Sequence, residues 1–223
     1  MNIYSRSNKQ VDSLHISLTF DDGYISHYTL AKYLSKIGVK ATFFITTHLK
    51  EKRFLASTPN RIAEISQLGH EIGSHTCTHP NLLLLSRSER EFELRESKKW
   101  LENLLGKSIS SFAYPYFLYD DKVLRDTHKF YFISRSRYLH VGSNKIDVFH
   151  VDFLTRKNVL DVLGNSIFSS ARNSALVVLH DIKPFQIVPL LSFLKFLKQT
   201  IHRQIRFLTV SELALLLSKE SVS

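Results

Sequence analysis

Leu18-Thr19-Phe20-Asp21-Asp22-Gly23 is the stretch from which this chain can be read. A short apolar strand runs into two adjacent carboxylates and then a glycine. Consecutive side chains on a strand point to opposite faces. Asp21 and Asp22 can therefore share one site only where the chain is leaving the strand, and Gly23 permits such a turn. Carboxylates at the C-terminal end of a strand stand where barrels and open α/β sheets keep their chemistry. Taken alone, Asp-Asp-Gly is also an ordinary surface turn, so the rest of the chain has to decide.

Working outward, Tyr28, Leu30, Ala31, Tyr33, Leu34 and Ile37 recur at helical spacing over 26–37, and Gly38 follows as a stop. Residues 41–45 read as a short buried strand, 59–68 as a helix opened by Pro59, and 71–74 as a weak strand. Ser86 and Glu89 fit a capping box before a long helix over 88–105. Its expected core stripe is Phe92, Leu94, Trp100, Leu101, Leu104 and Leu105. Further strands are expected at 109–113, 131–134, 148–153, 175–179 and 206–208, and helices at 120–127, 156–170, 189–201 and 211–217. Residues 136–150 are the least legible. Alternating strands and helices predict an α/β fold on a parallel sheet, closed or nearly closed. No repeat, linker or low-complexity tract interrupts the pattern, so residues 1–223 read as one domain.

The 223 residues are 43% hydrophobic and 22% charged, as expected of a globular protein. The net charge of +10 points to an acidic partner, such as an anionic glycan or an anionic membrane surface. The basic residues are scattered and no nucleic-acid module is recognisable, so nucleic acid is not expected. Cys77 is the single cysteine, which rules out an internal disulfide. Residues 1–14 lack an apolar leader core, and the apolar runs are too short for a bilayer. The expectation is a cytoplasmic protein, with peripheral contact at the inner membrane face as the alternative. Oligomeric state has no signature here.

Two further strand ends carry polar groups of the right kind. The strand at 71–74 delivers His75 and His79, and the strand at 175–179 delivers His180. In a parallel α/β fold these ends lie on one face and can converge. Two neutral imidazoles and one carboxylate make a three-ligand site for Zn²⁺ or a similar divalent ion. If Asp22, His75 and His79 hold the metal, Asp21 is left beside it as a general base for a water whose pKa the metal lowers. Histidine is the side chain whose unperturbed pKa, about 6.5, lies nearest neutral pH, so His180 suits an acid that protonates a leaving amine.

Four ordered motifs then resemble the polysaccharide deacetylases, the NodB-homology enzymes of carbohydrate esterase family 4. They are Thr19-Phe20-Asp21-Asp22-Gly23, Ser74-His75-Thr76-Cys77-Thr78-His79-Pro80, Phe112-Ala113-Tyr114-Pro115-Tyr116 and Leu176-Val177-Val178-Leu179-His180. The resemblance spans about residues 14–215. It implies a distorted, incomplete (β/α)7-type barrel and metal-dependent removal of N-acetyl groups from an N-acetylglucosamine-type sugar. It also implies Zn²⁺ as the metal, with Co²⁺ or Ni²⁺ as alternatives. By resemblance Asp21 is the base and Asp22, His75 and His79 are the ligands. Tyr116 supplies an oxyanion N–H, His180 is the acid, and Val178 lines the acyl pocket where the family usually has leucine.

This chain departs from the family pattern at several positions. Ala113 stands where many members have an arginine that pairs with the catalytic aspartate; Arg135 is the first candidate to replace it and Arg137 the second. Phe117 occupies the place of a frequent glycine, where a bulky ring would reshape or narrow the sugar cleft. For the acidic residue that orients His180, Asp152 is the first candidate, with Asp147 and Asp181 as alternatives. Cys77 reads as a spacer, and His70, His140 and His150 match no motif position. The partner implied is a carbohydrate, anionic or lipid-linked on the strength of the charge. The alternative functions are a deacetylase or deformylase acting on a lipid-linked or nucleotide-linked amino sugar, and a non-catalytic glycan-binding relative.

Overall fold

The computed structural model describes residues 13–142, 144–146, 149–152, 174–200 and 204–220, with backbone only for 149–152, Thr200, Gln204 and Glu220. The helix expected at 156–170 and Asp147 lie outside the described residues. Strand β1 (Ser13–Phe20) leads into helix α1 (Ser26–Lys36), then β2 (Thr42–Ile45), α2 (Pro59–Gln67), β3 (Glu71–Ser74) and α3 (Arg87–Leu105). Next come β4 (Ser111–Ala113), α4 (Asp121–His128), β5 (Ile133–Arg135) and a β6 (Leu139–Val141) to β7 (Asn144–Ile146) hairpin. The remaining elements are β8 (Phe149–Asp152), β9 (Ser174–Leu179), α5 (Pro184–Thr200), β10 (Gln204–Phe207) and α6 (Val210–Glu220).

The ten strands among the described residues form one sheet in the order β7-β6-β5-β4-β3-β2-β1-β9-β8, with β10 also beside β1. Pairing is parallel from β5 through to β8, and antiparallel only at β5–β6 and β6–β7. β1 is the hub. Its first half pairs with β10, its last two residues with β2, and residues 15–20 with β9.

The two-residue period of β1 sorts its side chains. Leu14, Ile16, Leu18 and Phe20 enter the larger apolar cluster, packed with helix residues such as Leu30, Leu34, Ile62, Leu94 and Leu194. Ser17 and Thr19 therefore face the other side of the sheet. That concave side holds a second cluster of Phe44, Ala113, Ile133, Leu139, Val141 and Leu176 with Val210, Leu213 and Ala214 of α6. Helix α6 thus fills the hollow of a curled sheet. Its start is pinned by Glu71, which accepts from Ser211 N–H at 3.0 Å, and by Thr42 Oγ1, which accepts from Val210 N–H at 2.8 Å. The curl is strong enough for Arg135 at the end of β5 to pair with Asp21 after β1, across three intervening strands. The architecture is the distorted, incomplete barrel expected from sequence.

Three local expectations are corrected. Phe92 is 51% exposed and does not belong to the core stripe of α3, which buries Leu94 and Leu101. Helix α5 begins at Pro184 and runs through Pro189, which sits on an exposed face. Strand β5 extends to Arg135, which it carries fully buried. The capping box of Ser86 and Glu89 forms as expected, and Gly106 closes α3 with φ of 65°. No helix among the described residues is long and apolar enough to cross a membrane.

Candidate active site and metal centre

Asp21 still belongs to the β1–β9 ladder. Its N–H donates to Leu179 O at 2.9 Å, so alternation keeps its side chain on the concave side. Asp22 then takes φ of 69° and Gly23 φ of 76°. This left-handed turn breaks the alternation and lets Asp22 enter the same site as Asp21. A non-glycine residue in this region is uncommon, and such residues gather at functional sites. Thr76, His79, Tyr116 and Phe117 share the same conformation, and all of them lie in loops that follow strands β3 and β4.

His75 follows β3, and its N–H donates to Ile45 O at 2.9 Å. Its Nδ1 donates to Ala113 O at 2.8 Å. That bond assigns the proton to Nδ1, so the neutral ring turns the Nε2 lone pair toward Asp22. His75 Nε2 and His79 Nε2 lie 3.3 and 3.2 Å from Asp22 Oδ1. Yet that buried oxygen has no hydrogen-bond partner among the described residues. Ligand atoms of Asp22, His75 and His79 all lie within 4.8 Å of one another. Lone pairs converging on an orphaned carboxylate oxygen are what a divalent cation satisfies, and the His₂Asp donor set suits zinc-like ions.

The loop from His75 to His79 is tied down on several sides. His79 N–H donates to Thr76 Oγ1 at 3.0 Å, and Thr47 and His48 N–H groups donate to Thr76 and Cys77 carbonyls. From below, the buried Glu93 of α3 accepts from Cys77 N–H at 2.7 Å, Thr78 N–H at 3.0 Å and Thr78 Oγ1 at 2.7 Å. Cys77 is buried, and that burial first, with Glu93 nearby, pushes its thiol up to about 12. Its thiol donates to the Glu93 carbonyl at 3.6 Å, away from the ligand atoms that converge at Asp22.

Beside this cluster, Asp21 is 2% exposed and Oδ1 accepts from Arg135 Nη2, while His180 Nε2 lies 3.8 Å from Oδ2. Arg135 is the arginine brought to Asp21; Arg137 is exposed. Phe44 and Phe117 cover the guanidinium, with its carbon 4.9 and 5.5 Å from their ring centres. Phe44 itself lies across Gly73, where a Cβ would stand 2.4 Å from its ring. Tyr116 is exposed and its ring meets His79 edge-on at 4.7 Å. Val178 is fully buried, two residues before His180 on the same face of β9.

Of the acidic candidates, Asp181 accepts from Ser26 Oγ and pairs with Lys183. Asp152 is in register with Val178, but its side chain lies outside the described residues. His180 Nδ1 has no partner among the described residues.

Two supporting side chains escaped the sequence reading. One is Glu93, hidden in an apparently ordinary helix face. The other is His27 on α1, fully buried, which donates Nε2–H to the His180 carbonyl at 2.9 Å and is kept neutral by burial. His70 makes a similar structural bond to Ala31 O at 2.9 Å. His140 is buried beside Tyr119 OH at 3.2 Å. The His150 side chain lies outside the described residues.

Comparison with known proteins fits this geometry. Residues 8–132 match the family model described as polysaccharide deacetylase. A putative polysaccharide deacetylase, YxkH of Bacillus subtilis, is 34% identical over 116 residues, covering 51% of this chain and 41% of that protein. A chitooligosaccharide deacetylase of Azorhizobium caulinodans is 28% identical over 169 residues, covering 74% and 73%. The matches span less than half the length of the first curated relatives. In fold, the Xyl-CE4 domain of a multidomain xylanase from the hindgut metagenome of Trinervitermes trinervoides superposes with a TM-score of 0.68 at 22% identity, over 95% of this chain and 93% of that one. The chain belongs to the polysaccharide deacetylase family.

Proposed function

We propose that this chain is a hydrolase that uses a divalent metal, zinc by donor chemistry, to remove the acetyl group from an N-acetylated amino sugar of the N-acetylglucosamine type. One observation carries the reading: Asp22, His75 and His79 converge on a point beside Asp21, with Arg135 and His180 on the flanks of that aspartate. A surface turn would need none of these partners.

When bound, the metal would polarise the amide carbonyl and make water more acidic. Asp21 takes the proton of the attacking water as general base. Arg135 pairs with one oxygen of Asp21 and fixes its orientation, which leaves Oδ2 on the side of His180. The hydroxide oxygen bonds to the acyl carbon, and the negative charge gathered on the carbonyl oxygen is met by the Tyr116 backbone N–H. His180 delivers a proton to the nitrogen as the C–N bond breaks, giving acetate and a free amine. Val178 borders the acyl group and limits its size.

The test is acetate release from free N-acetylglucosamine oligomers, peptidoglycan fragments and lipid-linked sugars, each with and without chelator. Chelator-sensitive release is expected. Asp21→Asn is expected to lower turnover by about 10²- to 10⁴-fold with bound metal unchanged. His75→Ala is expected to lose metal in a stoichiometry assay. Glycan binding without any acetate release would make the protein a non-catalytic relative, and full activity of Asp21→Asn would remove the mechanism.

A further inference from the structure

Phe117 is the chain's own departure at the mouth of the site. It adopts φ of 59° directly after Tyr116 with the same φ. A bulky side chain is a genuine outlier there, and a glycine would adopt that backbone without strain. The strain is therefore carried by a position that could be relieved by the smallest residue. Its ring is half-buried and does two things at once. It covers the Arg135 guanidinium, which Phe44 also covers. It also makes an edge-to-face contact with the His180 ring, at a centroid distance of 6.4 Å and an interplanar angle of 82°.

That second contact joins the loop after β4 to the end of β9. Rings at this separation are an edge-to-face pair, and no pyranose fits between them. The contact therefore closes the space between His180 and the loop after β4. We propose that Phe117 is a specificity-determining residue that closes the cleft on this side, so that the protein acts on chain-end units or short oligosaccharides and not on the interior of a long polymer. The same ring keeps the Arg135–Asp21 pair covered, which makes it a positioning residue for Asp21. The inference rests on the deacetylase reading above.

The experiment follows acetate release and maps the deacetylated unit by mass spectrometry on N-acetylglucosamine oligomers of increasing length and on soluble polymer. The wild-type protein is expected to modify a terminal unit, with kcat/KM falling beyond short oligomers. Phe117→Gly is expected to bring in internal units and raise kcat/KM on long chains by about tenfold, the scale on which removing a steric block changes selectivity. It is also expected to lower kcat on the short substrate as Arg135 loses its cover. Phe117→Leu should restore much of that kcat, because a branched apolar side chain still covers the guanidinium. Deacetylation of internal and terminal units alike by the wild-type protein overturns the proposal without any variant. So does an unchanged length profile in a folded Phe117→Gly. No acetate from any substrate with the wild-type protein is a different result, and it overturns the deacetylase reading on which the proposal stands.

Discussion

Asp21 and Arg135 form the least forgiving contact of the site, because both are essentially without solvent. Removing one partner of a buried ion pair leaves the other charge uncompensated, at a cost of about 3–5 kcal/mol. Arg135→Gln is therefore expected to lower the denaturant midpoint and to cut kcat/KM by about 10²-fold or more, since Asp21 loses the partner that orients it. Equilibrium unfolding and steady-state kinetics on the same preparation check this. A variant as stable and as active as the parent would mean that the pair is incidental. The identity of this arginine could not be read with certainty along the chain. Arg135 and Arg137 are two residues apart and so share one face in an ideal strand. What separates them is that β5 ends at Arg135, after which the chain turns into the hairpin and Arg137 becomes exposed.

At the scale of elements, the site is a set of loops braced by helices. Asp22 and the His75–His79 loop sit on left-handed backbone, and such conformations persist only when their surroundings over-determine them. Glu93 is the main brace of the second loop, accepting three hydrogen bonds from Cys77 and Thr78. Gln in its place keeps one acceptor but turns an amide against donors. Glu93→Gln is expected to weaken metal binding by about 10- to 100-fold, the range seen when groups behind metal ligands are altered. Calorimetric titration with Zn²⁺ measures it, and an affinity equal to that of the parent would show the loop to be held without Glu93. Helix α3 itself was legible from Ser86, Glu89 and Gly106. Its role under the loop was not, because Glu93 looks like any helix carboxylate until the fold buries it.

For the whole molecule, buried histidines set the acid sensitivity. Burial lowers the pKa of His27, His70 and His128, and takes His140 down to about 4. These rings take up protons less readily in the folded state than in the unfolded chain, where a histidine is protonated below about pH 6.5. The unfolded state then binds more protons, so stability falls as pH drops from about 6.5, and the His140 contribution is spent near pH 4. Thermal melting between pH 7.5 and 4.5 should show a steady decline that His140→Gln flattens in part. A melting temperature constant from pH 7 to 5 would contradict it. The decline begins above the range of ordinary carboxylates, which separates it from loss of pairs such as Arg90–Asp126.

What depends on local order is legible along the chain. Strand and helix periods set the α/β class, and Gly23 marked where two carboxylates could leave a strand together. The strands before His75 and His180 delivered those side chains to one end of a parallel sheet. The tertiary structure decided what depends on curvature. Only the curl of the sheet brings Arg135 to Asp21 across 114 residues of chain, sets the Phe117 ring against Arg135 and His180, and buries Glu93 and His27 behind the site. The physical reason is that side-chain period is a property of neighbouring residues, readable along the chain. The approach of one strand end to another depends instead on the accumulated twist and packing of every strand between them.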